Sequence, residues 1–252
     1  MTDELLFEVD GHVAVITINR PAKLNSMTPE MAYALEAAVA ECNKSNTIRC
    51  VIVTGAGERA FCAGSDIRTL DDYATPWEFR NRGDYCDAIR LCLKPTIAAV
   101  NGYAFGGGLE TAMSCDIRIA SSNAQFAAPE IKLGWIGGGG MAVHLAHSVG
   151  PSNAALMIMT GDPISARQAK DWNLVSDVVP LPDLLDRAKT IASRAPIAAE
   201  TAKINLKAAF SMPVEKAIEY ERDLQTICFA TADAAEGRAA FKEKRPPVFK
   251  RR

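Results

Sequence analysis

The sequence predicts an α/β fold: parallel β structure over about the first 150 residues, then a helical region. Three observations carry this. Short segments apolar at both alternating parities recur, as strands covered on both faces require. Amphipathic helical segments alternate with them, the arrangement that makes neighbouring strands parallel. Beyond Gly150 the strand pattern gives way to helical segments punctuated by Pro180, Pro182, Pro196 and Pro213.

Residues 12–18 (HVAVITI) form the first predicted strand, and residues 19–26, polar and proline-containing, a loop. Thr28, Pro29 and Glu30 open a helix as N-cap, first helical residue and first-turn acid. Met31, Leu35, Ala38, Val39 and Cys42 supply its apolar stripe. Residues 49–54 are a second strand, followed by a small-residue loop at 61–66. Thr75, Pro76 and Glu78 start another helix. Residues 95–100 form a third strand, broken at Asn101 and Gly102, 109–114 a helix, and 116–120 a fourth strand. After Gly150, helices are expected from Pro151, at 165–169, 184–194, 197–210, 214–229 and 234–244. No repeat and no low-complexity linker interrupts the chain.

Composition excludes several classes. The chain has 252 residues, 48% hydrophobic and 23% charged, with a formal net charge of −2. A nucleic-acid-binding domain would be far more basic. No apolar run approaches the roughly 20 residues of a membrane span. The acidic start at residues 1–7 lacks the features of a targeting segment. Seven cysteines, an odd number with no C-x-x-C or Cys/His spacing, point to a reducing compartment. The expectation is a cytoplasmic protein without a metal site.

Signatures of phosphate-binding loops, dinucleotide folds and serine hydrolases are missing. His144 and His147 are the only histidines besides His12, and no motif ties them to Ser65 as a base. Two segments remain. Residues 61–67 (FCAGSDI) form a small-residue loop after a strand, and residues 102–110 (GYAFGGGLE) a glycine-rich strand-to-helix turn. Glycines permit close backbone approach, and a helix start leaves N–H groups free. Two such N–H groups on one carbonyl oxygen would make an oxyanion hole. Spacing alone leaves a tight packing turn equally open. Glu110 and Glu130 each stand where a first-turn acid is favoured by the helix dipole, so each also has an ordinary structural role open to it.

The two segments belong to a longer ordered pattern. It comprises Asn19-Arg20-Pro21 with Asn25, Ala63-Gly64-Ser65-Asp66, Asn101-Gly102-Tyr103 leading to Gly106-Gly107-Gly108, and Cys115-Asp116-Ile117. Gln125-Phe126, Pro129-Glu130, Leu133-Gly134 with the glycines to Gly140, and Glu236-Gly237 with Phe241 and Lys244 complete it. This pattern resembles the enoyl-CoA hydratase/isomerase (crotonase) superfamily, in order and over essentially the whole chain.

The resemblance implies a crotonase-like spiral of β-β-α turns over residues 1–195 and a C-terminal helical region over 196–252. That region would serve trimer assembly and cover the site, in a homotrimer or homohexamer. It implies an oxyanion hole from the backbone N–H groups of Ser65 and Gly107, with the Ser65 side chain incidental. Glu110 and Glu130 become the acid–base pair of an enoyl-CoA hydratase, Glu110 acting on water and Glu130 delivering a proton to Cα. The retention of both acids favours hydration over double-bond isomerisation; the resemblance leaves as alternatives another reaction of the superfamily, such as isomerisation, hydroxyacyl-CoA dehydration or retro-aldol cleavage, or a purely binding role. CoA and substrate contacts fall on Lys23, Leu24, Ser26, Ala63, Asp66, Ile67, Gly106, Phe241 and Lys244. Coenzyme A is then part of an acyl-CoA thioester substrate, with no further cofactor and no nucleic-acid or membrane partner. Residues 70–85, with Tyr73, Trp77, Phe79 and Tyr85, are the implied wall of the acyl pocket. The sequence departs from many members at Ala22, Ala128, Trp135 and Gly137, which leaves the acyl group unassigned.

Overall fold

The computed structural model describes residues 3–189 and 193–252. It opens with a hairpin: β1 (Leu5–Asp10) pairs antiparallel with β2 (Val13–Ile18), and Gly11 takes φ 59 in the turn. Of β1 only Leu5 is buried, so this edge strand lacks the apolar alternation that betrays β2. Helix α1 (Pro29–Lys44) follows, with the Thr28 hydroxyl accepting from Met31 N and every residue of the predicted stripe buried.

The chain then winds three times through the same sequence of elements. The first winding is β3 (Cys50–Gly55), β4 (Ala60–Cys62), α2 (Pro76–Arg80) and α3 (Tyr85–Arg90). The second is β5 (Thr96–Val100), β6 (Tyr103–Phe105) and α4 (Gly107–Ser114). The third is β7 (Ile117–Ser121), β8 (Gln125–Ala127), a 3-10 turn at Pro129–Leu133, α5 (Met141–Val149) and α6 (Pro151–Thr160). The longer strand of each winding joins a sheet of order β1-β2-β3-β5-β7-β10, and the shorter joins a second sheet of order β4-β6-β8-β9. This is the expected spiral of β-β-α turns. The three-residue strands of the second sheet were absent from the sequence reading, since so short a run shows no periodicity.

Why β3 and β5 are apolar at both parities is now visible. Val51, Val53, Ala98 and Val100 enter the main core, while Cys50, Ile52, Ile97 and Ala99 enter a second core with Leu184 on the opposite face. The region after Gly150 is less purely helical than expected. β9 (Ile164–Ser165) closes the small sheet before α7 (Ala166–Asp171), and β10 (Asp177–Val179) closes the large one. Of the helix expected at 184–194, α8 covers Leu184–Lys189, and residues 190–192 lie outside the described residues.

Helices α9 (Pro196–Ala209), α10 (Val214–Phe229) and α11 (Ala232–Glu243) complete the chain. Ion pairs fasten α9 to the residues just before β5 and β7. Lys203 Nζ lies 2.8 Å from Asp116, and the fully buried Lys94 lies 2.8 Å from Glu200, which also pairs with Arg251 at 2.8 Å. Buried lysines are kept only when paired, so these contacts commit α9 to one docked position. Within the basic tail, Arg245 pairs with Glu236 and Glu243. Leu206, Phe210, Ile227, Phe229 and Phe241 on these helices stay exposed.

Candidate active site

Two buried asparagines set the loops that frame the site. Asn25 donates to Ala56 O and Ala60 O, and Asn101 accepts from Gly55 N while donating to Gly55 O and Gly57 O. Each therefore staples a strand end to the loop beyond it. Past β4, residues 63–66 run beside 24–27: Ala63 N donates to Leu24 O at 3.0 Å, Met27 N to Gly64 O at 2.8 Å, and Asp66 N to Met27 O at 2.8 Å. Met27 and Ser65 form a parallel bridge, which leaves the Ser65 N–H on the side away from Met27. Gly64 backs directly onto the second segment, since a Cβ there would stand 3.1 Å from Gly107 N.

Gly107 is the first residue of α4, so its N–H is among those a helix leaves without an internal partner. It admits no side chain. A Cβ at Gly107 would lie 1.9 Å from the hydroxyl of Tyr85, and that hydroxyl is 3.0 Å from Ser65 Oγ. Ser65 and Gly107 thus meet across Tyr85 and line one cleft of about 180 Å³ with Gly106, Glu110 and Glu130.

Glu110 lies one turn into α4 and is only 5% exposed. Its Oε1 accepts from Gly139 N at 2.7 Å and from Met141 N at 3.1 Å. A Cβ at Gly139 would come within 2.8 Å of Oε2, so the glycine run wraps the carboxyl and leaves no room for larger residues. Burial pushes the Glu110 carboxyl up to about 7; the Gly139 N–H opposes that rise and the Glu130 charge adds to it. Glu130 sits in the 3-10 turn after Pro129, its Oε1 beside Gly106 and its buried Oε2 without a hydrogen-bond partner. Burial raises its pKa too. Both carboxyls in the cleft are thus desolvated and shifted upward, Glu110 further by the charge of Glu130.

Of the residues named from sequence, Ser65, Gly107, Glu110, Glu130, Ala63, Ile67 and Gly106 line the cleft together. Lys23, Leu24, Ser26 and Asp66 do not line it; they belong to the neighbouring loops. There Arg20 binds Ser26 O and pairs with Asp66 at 3.1 Å. Phe241 and Lys244 lie on or just after α11, away from the lining, with Phe241 85% exposed. Phe79 and Tyr85 take the expected wall positions, whereas Tyr73 lines an adjoining groove and Trp77 is exposed. Trp135 and Gly137, two of the departures, also line the cleft. Arg82, Leu133 and Ile136, which complete the wall, are not named as site residues from the sequence: Arg82 lies within the expected wall segment 70–85, and Leu133 and Ile136 lie within the 133–140 motif stretch.

The Glu110 carboxyl rises from its ordinary 4.5 to about 7 on folding. Its contribution is therefore complete below about pH 4.5 and is lost as pH rises through 7. Glu110→Gln cannot ionise and should gain roughly 2–3 kcal/mol over wild type between pH 5 and pH 8.5. Urea unfolding at both values measures this; a variant whose relative stability is the same at both would contradict it.

Comparison with known proteins agrees with this architecture. The family model described as enoyl-CoA hydratase/isomerase matches residues 8–252. The short-chain-enoyl-CoA hydratase of Clostridium acetobutylicum is 39% identical, covering 96% of both chains. The (E)-benzylidenesuccinyl-CoA hydratase of Thauera aromatica is 38% identical over 96% of this chain and 97% of that one. A crystal structure of an enoyl-CoA hydratase from Bacillus anthracis superposes with a TM-score of 0.94 at 33% identity, covering 99% of this chain and 100% of the other. The chain, with its β-β-α spiral and C-terminal helices, belongs to the enoyl-CoA hydratase/isomerase family.

Proposed function

We propose that this chain is an enoyl-CoA hydratase that adds water across the 2,3 double bond of an enoyl-CoA thioester. The observation that carries the reading is the pairing of Glu110 with Glu130 in the cleft that Ser65 and Gly107 also line. Addition to a conjugated thioester needs a proton taken from water at Cβ, a proton delivered to Cα, and stabilisation of charge on the thioester oxygen. Here the thioester oxygen accepts from the N–H groups of Ser65 and Gly107. Each such donor is typically worth about 2.7–4 kcal/mol of barrier.

Glu110 takes the proton of the attacking water. Its two backbone donors fix its orientation and oppose the rise that burial imposes; with its pKa raised to about 7, part of the population is a carboxylate that can accept a proton at neutral pH. Glu130 is the proton donor to Cα. Its Oε2 has no donor to stabilise a charge, which favours the protonated acid. The reaction requires no cofactor beyond the CoA carried by the substrate. The relatives of Clostridium acetobutylicum and Thauera aromatica, named as hydratases, support this assignment.

The protein incubated with trans-2-enoyl-CoAs of graded chain length should bleach the conjugated thioester absorbance and yield a product heavier by one water. No bleaching with any substrate would overturn the reading. We also propose that the exposed apolar side chains of α9–α11 bury against further copies in a homotrimer or a pair of trimers. Light scattering on the eluted protein should give one of those masses; a monomer would refute it. No helix among the described residues is long and apolar enough to cross a membrane. All seven cysteines are free, which supports placement in a reducing cytoplasm.

A further inference from the structure

The cleft contains a cation that the proposed chemistry does not use. Arg82 lines it together with Leu70, Phe79 and Tyr85, opposite the Glu110 and Glu130 pair in character. The same side chain lines two adjoining grooves, one with Thr69 and Tyr73 and the other with Glu30 and Asp72. Among the described residues its hydrogen bonds and its ring contact are all to Phe79. Nη1 donates to Phe79 O at 2.7 Å, and the guanidinium lies 4.1 Å from the centre of the Phe79 ring. Among the described residues no carboxylate forms an ion pair with it, Glu30 and Asp72 included.

A half-buried guanidinium on a mostly apolar wall is costly to hold there without an anion. Phe79 sets its plane by stacking and by one hydrogen bond. That uses one of the five N–H donors, so the fork needed for a bidentate carboxylate is open. Arg82 shares the cleft lining with Ser65, Gly107 and the two glutamates, and it also shares an adjoining groove with Ser65 and Tyr85.

Taking the cleft as an acyl-CoA site, we infer that its substrate is an enoyl-CoA whose acyl chain ends in a carboxylate, bound by Arg82. The apolar side chains Leu70, Phe79 and Tyr85 pack the intervening carbons, and the guanidinium takes the terminal charge. This names the substrate class that the departures at Trp135 and Gly137 left open, and it places the determinant on a different loop.

The alternative source of an anion is a phosphate of CoA itself, and the test separates the two. Succinyl-, glutaryl- and adipyl-CoA are titrated calorimetrically against butyryl-, valeryl- and hexanoyl-CoA and free CoA, with wild type, Arg82→Met and Arg82→Lys. At least one carboxylated member should bind wild type about tenfold or more tightly than its neutral isostere. Arg82→Met should erase that ratio while leaving free CoA unaffected, and Arg82→Lys should retain part of it. No preference in wild type, or a ratio unchanged in Arg82→Met, overturns the inference. Equal weakening of all ligands including free CoA also overturns it, and assigns Arg82 to a phosphate. Turnover of glutaconyl-CoA against trans-2-pentenoyl-CoA then distinguishes the two levels. A carboxylate-dependent binding ratio without hydration of either compound refutes the hydratase reading alone. Hydration of both at equal efficiency, with no binding preference, refutes the carboxylate alone.

Discussion

Glu110→Gln and Glu130→Gln will each lower kcat for enoyl-CoA hydration by about 10²–10⁴-fold, the span that positioned acid–base groups contribute. Gln preserves shape in both cases. At position 110 its carbonyl can still accept from Gly139 N and Met141 N, which lie 2.7 and 3.1 Å from Oε1, so the glycine run keeps its anchor. What it cannot do is take a proton. At position 130 the amide replaces the unpartnered Oε2 without adding a charge, but it has no acidic proton to deliver. Thermal melts should therefore show both variants folded. The double variant should be little worse than the poorer single one, because groups that act as a unit are not additive. Stopped-flow absorbance with each variant measures the effect. A variant keeping more than about a tenth of wild-type turnover would remove its carboxyl from the proton transfers.

These residues also show how far sequence reasoning reaches. Glu110 and Glu130 are 20 positions apart in sequence, on a helix and a 3-10 turn of successive windings, and no periodicity links them. Only their place in an ordered pattern of motifs brought them together. Long strands such as β3 and β5 were legible because both faces are buried and both parities are apolar. The second sheet was not legible, since its strands are two or three residues long and owe their position to neighbours far along the chain. Arg82 is the sharpest omission. It follows a five-residue helix on an exposed loop, where an arginine is ordinarily a solvated charge. Its role depends on which cavity the loop overhangs, and that is a property of tertiary packing. Tyr85 was expected as pocket wall, but its contact with both Gly107 and Ser65 depends on α3 packing against α4.

That contact governs the second large effect. Gly107→Ala should lower kcat by about 10²–10³-fold, the cost of losing one donor to the thioester oxygen. The new Cβ would stand 1.9 Å from Tyr85 Oη and 3.0 Å from Cζ, so a swing of the hydroxyl alone cannot relieve it. Tyr85 is 8% exposed and its ring is packed in the core beneath α1 and α4, so the start of α4 must give way, carrying the Gly107 N–H with it. Overpacking of this kind usually costs about 1–3 kcal/mol of stability, and the variant should still fold. Ser65→Ala is the informative contrast. It removes the hydroxyl that meets Tyr85 at 3.0 Å but leaves the main-chain donor in place, so its kcat should stay within a few-fold of wild type. Tyr85→Phe in the Gly107→Ala background removes the closest clash and should restore part of the lost turnover, while Tyr85→Phe by itself should cost little. If Ser65→Ala falls as far as Gly107→Ala, the hydroxyl and not the backbone holds the thioester oxygen. If the double variant recovers nothing, the loss in Gly107→Ala has a cause other than displacement by Tyr85.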